Sequence, residues 1–97
     1  MNALPLDVHK LTEICRQNDV TRLRVFGSIA RGEAAEASDI DLLVDFSKRK
    51  SLLALVALER HMADVLGRDV DLLTESAISP YLRDRIERDA RAIYEAG

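Results

Sequence analysis

The sequence predicts a small α/β domain, a mixed β-sheet of three or more strands packed with helices. Two strands and the segment between them carry that prediction. In SDIDLLVDF, residues 38–46, Ile40, Leu42, Val44 and Phe46 alternate with Asp39, Asp41, Leu43 and Asp45, the period-two pattern of a strand with one apolar face. RDVDLLT, residues 68–74, repeats it, with Val70 and Leu72 on one face and Asp69, Asp71 and Leu73 on the other. The intervening SLLALVALERHMADVLG has helical length and spacing, and strands alternating with helices define an α/β layer.

The remaining elements follow from local signals. Residues 6–18 place Leu11, Ile14 and Cys15 at helical spacing. TRLRVFG alternates Leu23 and Val25 with Arg22 and Arg24 before Gly27, so a strand with one buried face and a turn is expected. SIARGEA reads as a short helix capped by Ser28, and SKRKS as a polar connection. In the central helix Leu52, Leu55, Val56, Glu59 and Met62 mark successive turns, and Gly67 ends it. Its broad apolar face, which also takes in Leu53, Leu58, Val65 and Leu66, is expected to be core, with part of it open to a partner. Ser79-Pro80 opens a last helix that is expected to run to the C-terminus, burying Leu82, Ile86, Ala90 and Ile93. No internal repeat or low-complexity segment interrupts the order.

Ninety-seven residues are expected to form one domain, 1–97, with one modest core. The composition is globular, 47% hydrophobic and 32% charged with 4 Gly and 2 Pro. A net charge of −3, from 14 basic and 17 acidic residues, argues against broad electrostatic binding to nucleic acid. The single cysteine, Cys15, excludes an internal disulfide and a thiolate cluster and reads as a small core residue. MNALPLDVHK lacks the apolar run of a signal peptide, and no segment approaches the ~20 apolar residues that cross a bilayer. A cytoplasmic location is therefore expected.

The chemistry concentrates between Gly27 and Asp71. Asp39 and Asp41 point the same way along a strand, with alpha carbons roughly 6.5 to 7 Å apart. Two such carboxylates repel, and burial without a partner would raise their pKa values. Mg²⁺ takes one or two carboxylates plus waters and substrate phosphates. With a third carboxylate from the neighbouring strand, two ions could sit roughly 3.5 to 4 Å apart, and Asp71 is the natural third. Asp45 and Asp69 share those faces, so alternation leaves open which of the five bind metal. Asp is a poor strand former, and two strands carrying it on their non-core faces is a departure expected mainly at functional sites.

Gly27 lets the chain reverse and brings backbone N–H groups near a ligand. Ser28 at a helix N-terminus could donate to a phosphate oxygen, and Arg31 could reach the same phosphates with its planar fork. GSIARG is neither a P-loop nor GxGxxG, and a glycine-serine junction alone says little. Its distance from the aspartates says more.

Gly27-Ser28, ten intervening residues and Asp39-Ile40-Asp41 together resemble the signature of the polymerase-β-like nucleotidyltransferase superfamily. VFGSIARGEAAEASDIDLLVDF, followed thirty residues after Asp41 by Asp71 in DVDLL, resembles its smallest branch, the minimal nucleotidyltransferases (MNT). The resemblance runs from about Leu23 to the C-terminus, and no position of the signature is missing. It implies the nucleotidyltransferase fold, two Mg²⁺ ions held by Asp39, Asp41 and Asp71, and Gly27 and Ser28 at the triphosphate of ATP. The part given to Arg31 comes from the residues alone.

The implied reaction is attack of an acceptor hydroxyl on the α-phosphorus with loss of pyrophosphate, Asp71 lying nearest in role to a base. The resemblance also implies a partner, a HEPN-domain ribonuclease toxin, and hence an antitoxin that transfers AMP to a tyrosine of that partner. The alternative is a non-catalytic antitoxin that neutralises its partner by occlusion; transfer to a small molecule would need a pocket from a second chain. His9 and His61 lack companions at ligand spacing, and Tyr81 and Tyr94 read as packing or partner contacts. Lys48, Arg49 and Lys50 read as a solvated connection or as a contact for phosphates or an acidic partner.

Overall fold

Local capping rules set most element boundaries. In the computed structural model, which describes residues 6–32 and 39–96, Asp7 accepts from the Lys10 N–H (3.1 Å) and opens α1, Val8–Gln17. Strand β1 spans Val20–Phe26, the short helix α2 Gly27–Ala30 and strand β2 Ile40–Phe46. Ser51 accepts from the Ala54 N–H (3.1 Å) and opens α3, Leu52–Leu66; Gly67, left-handed at φ 69°, closes it. Strand β3 is Val70–Leu73, followed by a 3₁₀ turn at Glu75–Ala77. Ser79 and Pro80 open α4, Pro80–Asp89, and strand β4 is Arg91–Glu95.

The sheet order is β3-β2-β1-β4. Strands β1 and β2 are antiparallel, as are β1 and β4, while β2 and β3 are parallel and joined through α3. This mixed four-stranded sheet with helices on it matches the predicted class. The principal core lies between the sheet and helices α1 and α3. There Leu11, Leu23, Val25, Ile40, Leu42 and Met62 are all fully buried. Cys15 is part of it, and burial pushes its thiol up to about 12, so it serves as an inert apolar filler.

The other face is covered as well. Phe26, Leu43 and Ile78 form a second cluster, against which Leu73, Ile86 and Ala90 pack. Leu43 is therefore as buried as Leu42. Arg24, expected on a solvated face, is only 7% exposed and is held by Glu87 (2.8 Å) and Glu75 (3.1 Å). The 3₁₀ turn and α4 supply that cover, so both faces of β1 are closed.

Three expectations are corrected. The last helix stops at Asp89: Ala90 takes extended dihedrals, and the chain pairs with β1 as β4, which brings Ile93 and Tyr94 onto the core from a strand. β-branched Ile and aromatic Tyr suit that state better than the helix read from their spacing. Leu82 is half exposed and is not part of a buried stripe. Only the inner part of the α3 face is core: Leu58 and Met62 are buried, whereas Leu52, Leu53 and Val56 are exposed.

Candidate active site

Strand pairing brings the predicted residues to one place. Parallel register puts Asp41 of β2 directly opposite Asp71 of β3, and antiparallel register puts Phe26, the last residue of β1, opposite Asp41. The chain leaves β1 through Gly27, at φ +73°, a backbone conformation that favours glycine. A Cβ on Gly27 would lie 2.5 Å from Oδ2 of Asp41. Glycine is thus required twice, by the turn and by the carboxylate against which the turn packs.

Asp39 and Asp71 are exposed and Asp41 is half-buried. Burial raises the pKa of Asp41, the negative charges of Asp71 and Asp39 push it the same way, and Arg31 alone opposes them. The three aspartates therefore sense one another electrostatically. Among the described residues no three His, Cys, Asp or Glu side chains are drawn into a closed ligand set. What exists is an open edge of oxygen donors, the donor chemistry of a hard divalent cation that keeps waters and substrate oxygens in its shell.

The glycine turn differs from expectation in one respect. Helix α2 begins at Gly27, no side chain caps it, and it ends at Ala30, so Ser28 is not its cap. Arg31 and Gly32 form a turn, and the part of the expected SIARGEA helix from residue 33 onward lies outside the described residues. Ser28 is half-buried on the first turn, with Ile29 and Ala30 buried behind it as anchors. Arg31 follows α2, and its guanidinium is paired with Asp89 at the end of α4 (3.2 Å). The same arginine is near enough to Asp41 for its charge to favour the carboxylate.

Two open questions are resolved by geometry. Asp45 is bonded to Nε of Arg22 (2.8 Å) and stands at the far end of β2 from Asp41. Lys48, Arg49 and Lys50 lie beyond that same far end, and Lys50 is bonded to Asp19 (2.7 Å). Neither group reaches the Asp41–Asp71 pair. Asp69 is exposed, one residue before β3.

Two contributors escaped sequence reasoning. Glu59 of α3 accepts the backbone N–H of Leu72 (2.9 Å), which pins edge strand β3 and with it Asp71. Asp89 orients Arg31. An acidic residue on the inward side of a helix with Leu55, Leu58 and Met62 around it was the available signal for Glu59.

A mixed sheet whose central strand presents paired carboxylates to a glycine turn is the core of a nucleotidyltransferase. A model of the nucleotidyltransferase domain matches residues 8–93. A Methanocaldococcus jannaschii protein whose name places it with the protein adenylyltransferases is 48% identical over 81 residues, covering 84% of this chain and 87% of the relative. The protein adenylyltransferase MntA of Thermococcus cleftensis is 39% identical over 84 residues, covering 87% and 84%. A crystal structure described as a toxin–antitoxin with AMP-PNP has a chain with TM-score 0.82 at 25% identity, covering 94% of this chain and 75% of that one. The chain belongs to the nucleotidyltransferase family and, within it, to the minimal branch of these adenylyltransferase homologues, so it is an enzyme of the transferase class.

Proposed function

We propose that the chain is a magnesium-dependent adenylyltransferase that moves AMP from ATP to a hydroxyl, a tyrosine's, of a helical HEPN ribonuclease toxin and so acts as its antitoxin. The observation that carries this reading is Asp41, opposite Asp71 and in van der Waals reach of Gly27. A phosphate approaching the glycine turn would arrive beside two carboxylates, a juxtaposition that favours binding only when a cation lies between them. The names of the relatives support the adenylyl donor and the protein acceptor, and the AMP-PNP complex supports a nucleoside triphosphate.

Asp39, Asp41 and Asp71 would hold the magnesium. Bound there, two ions would supply activation of the acceptor hydroxyl and neutralisation of the leaving pyrophosphate. The chain's own residues do the rest. Gly27 admits the triphosphate to the backbone, Ser28 donates its hydroxyl to a phosphate oxygen, and Arg31 offers its fork to the same group. Asp71, exposed on the edge strand, accepts the proton of the attacking hydroxyl. The new bond joins the acceptor oxygen to the α-phosphorus, and the bond to the β-phosphate bridging oxygen breaks. Positioning and electrostatics supply nearly all of the acceleration.

The test is the intact mass of the helical partner coexpressed with the wild type or with Asp39→Ala/Asp41→Ala. Adenylyl-sized increments with the wild type only are expected. Equal partner masses, with the toxin bound and inhibited in both cases, would leave neutralisation by occlusion instead.

A further inference from the structure

The far end of β2 carries a second surface unlike the first. A cleft of about 380 Å³ opens there, lined by Phe46, Lys48, Arg49, Leu52, Leu55 and Thr74 among others. On the outer side of α3 beside it, Leu52 is 75% exposed, Leu53 82% and Val56 41%. Spacings of three and four residues place Leu52, Leu53 and Val56 on one helical face. A chain of net charge −3 thus sets two large aliphatic side chains in water next to its densest basic run. Lys50 of that run is committed to Asp19, while Lys48 and Arg49 stand exposed.

We propose that this surface docks an acidic, amphipathic helix of the acceptor protein. The apolar stripe of such a helix would cover Leu52, Leu53 and Val56, and its flanking carboxylates would meet Lys48 and Arg49. An apolar patch with a charged rim is the anatomy of a protein interface. Charge complementarity fixes the sign of the partner segment as negative. Nucleic acid is the poorer occupant, because exposed leucines offer no stacking surface for bases and Phe46 is the sole aromatic in the lining. Phe46 lies five residue steps along β2 from Asp41, roughly 16 Å at about 3.3 Å per step. The dock is therefore remote from the chemistry. It holds the acceptor protein while another of its segments reaches the aspartates, so it governs acceptor affinity and leaves ATP handling alone.

This inference rests on the proposed partner, a helical toxin, but its readout needs no catalysis. Equilibrium binding of the purified toxin to the ATP-free chain would be measured by calorimetry for wild type, Leu52→Ser/Leu53→Ser and Lys48→Glu/Arg49→Glu. Thermal unfolding would verify that both variants fold, as exposed positions allow. A weakening of at least tenfold in each variant is expected. For adenylylation, the KM for toxin should rise by a similar factor, with the KM for ATP and kcat unchanged. Binding unaltered in either variant would overturn the dock while leaving adenylyl transfer standing. Toxin binding lost in the variants of a chain that transfers no AMP would uphold the dock and reject the transferase reading. Failure of the wild type to bind toxin would overturn both. A labelled single-stranded RNA that binds saturably and is lost in the same variants would reassign the surface to nucleic acid.

Discussion

The face of the sheet under α1 and α3 and the face under the 3₁₀ turn and α4 are built on the same strands by opposite rules. On the first, Leu23, Val25, Ile40, Leu42 and Val44 meet Leu11, Ile14, Leu58 and Met62 with little or no exposed surface. On the second, a small cluster around Phe26, Leu43 and Ile78 is bordered by charge. Arg22 and Arg24 are paired with Asp45, Glu75 and Glu87 at one end, and Asp41 and Asp71 face each other at the other. The paired end is matched in charge, with Arg24 Nε buried there without a hydrogen-bond partner among the described residues. The Asp41 end is not: its carboxylate is half-buried against like charges. The first face holds the fold, and the end of the second where like charges meet carries the candidate site.

Breaking that contrast begins with Asp41→Asn. Several kcal/mol of charge stabilisation vanish with the carboxylate, so transferase activity is expected to fall on the order of a thousandfold or more. The same change relieves repulsion, so in chelator the melting temperature should rise. Added magnesium should stabilise the wild type and not the variant. Leu42→Ala attacks the opposite face and should cost about 2 to 5 kcal/mol in denaturant unfolding, with the specific activity of the folded fraction retained.

Gly27→Ala joins the two effects. A left-handed alanine costs on the order of 1 to 3 kcal/mol, and its Cβ must displace the Asp41 carboxylate. Activity should fall further than stability does. Glu59→Leu leaves the Leu72 N–H without its acceptor and should cost about 1 to 3 kcal/mol, with hydrogen exchange accelerated first in β3.

The smallest effect concerns acid stability. A hydrogen bond and the charge of Lys50 hold the Asp19 carboxyl below its ordinary value of 3.8. A depressed pKa contributes stability that is present above the unfolded value and is lost as pH falls through the folded one. Lys50→Met should therefore lower stability slightly at neutral pH, and denaturant unfolding at several pH values should show the difference from the wild type vanish as pH falls through the Asp19 titration.

The same contrast explains what the sequence made legible. Alternation in β2 and β3 exposed the first face, and the spacing from Gly27 to Asp39 and Asp41 pointed to the candidate site, because both are local patterns. Pairing Asp41 with Asp71 followed from the repeated IDLL and VDLL. The cover of the second face did not follow, since Arg24 looks solvated until Glu75 and Glu87, 51 and 63 residues away, close over it. Ile86, Ala90 and Ile93 fit helical spacing, yet only the first of them lies in a helix. Pairing with β1 overrides that period from Arg91 onward. Asp89 and Glu59 act through partners distant in sequence, Arg31 and the Leu72 backbone; a local pattern marks Glu59 as an inward acid without naming its partner, and none marks Asp89.

Transfer of AMP by the acidic end of the sheet leaves a defined pair of products. Its most direct measurement is the stoichiometry of pyrophosphate released to AMP incorporated, with purified chain, partner toxin, ATP and magnesium. One pyrophosphate per AMP is predicted for the wild type, and neither product with Asp41→Asn or with chelator. Release of orthophosphate instead, or equal incorporation by Asp41→Asn, would contradict it.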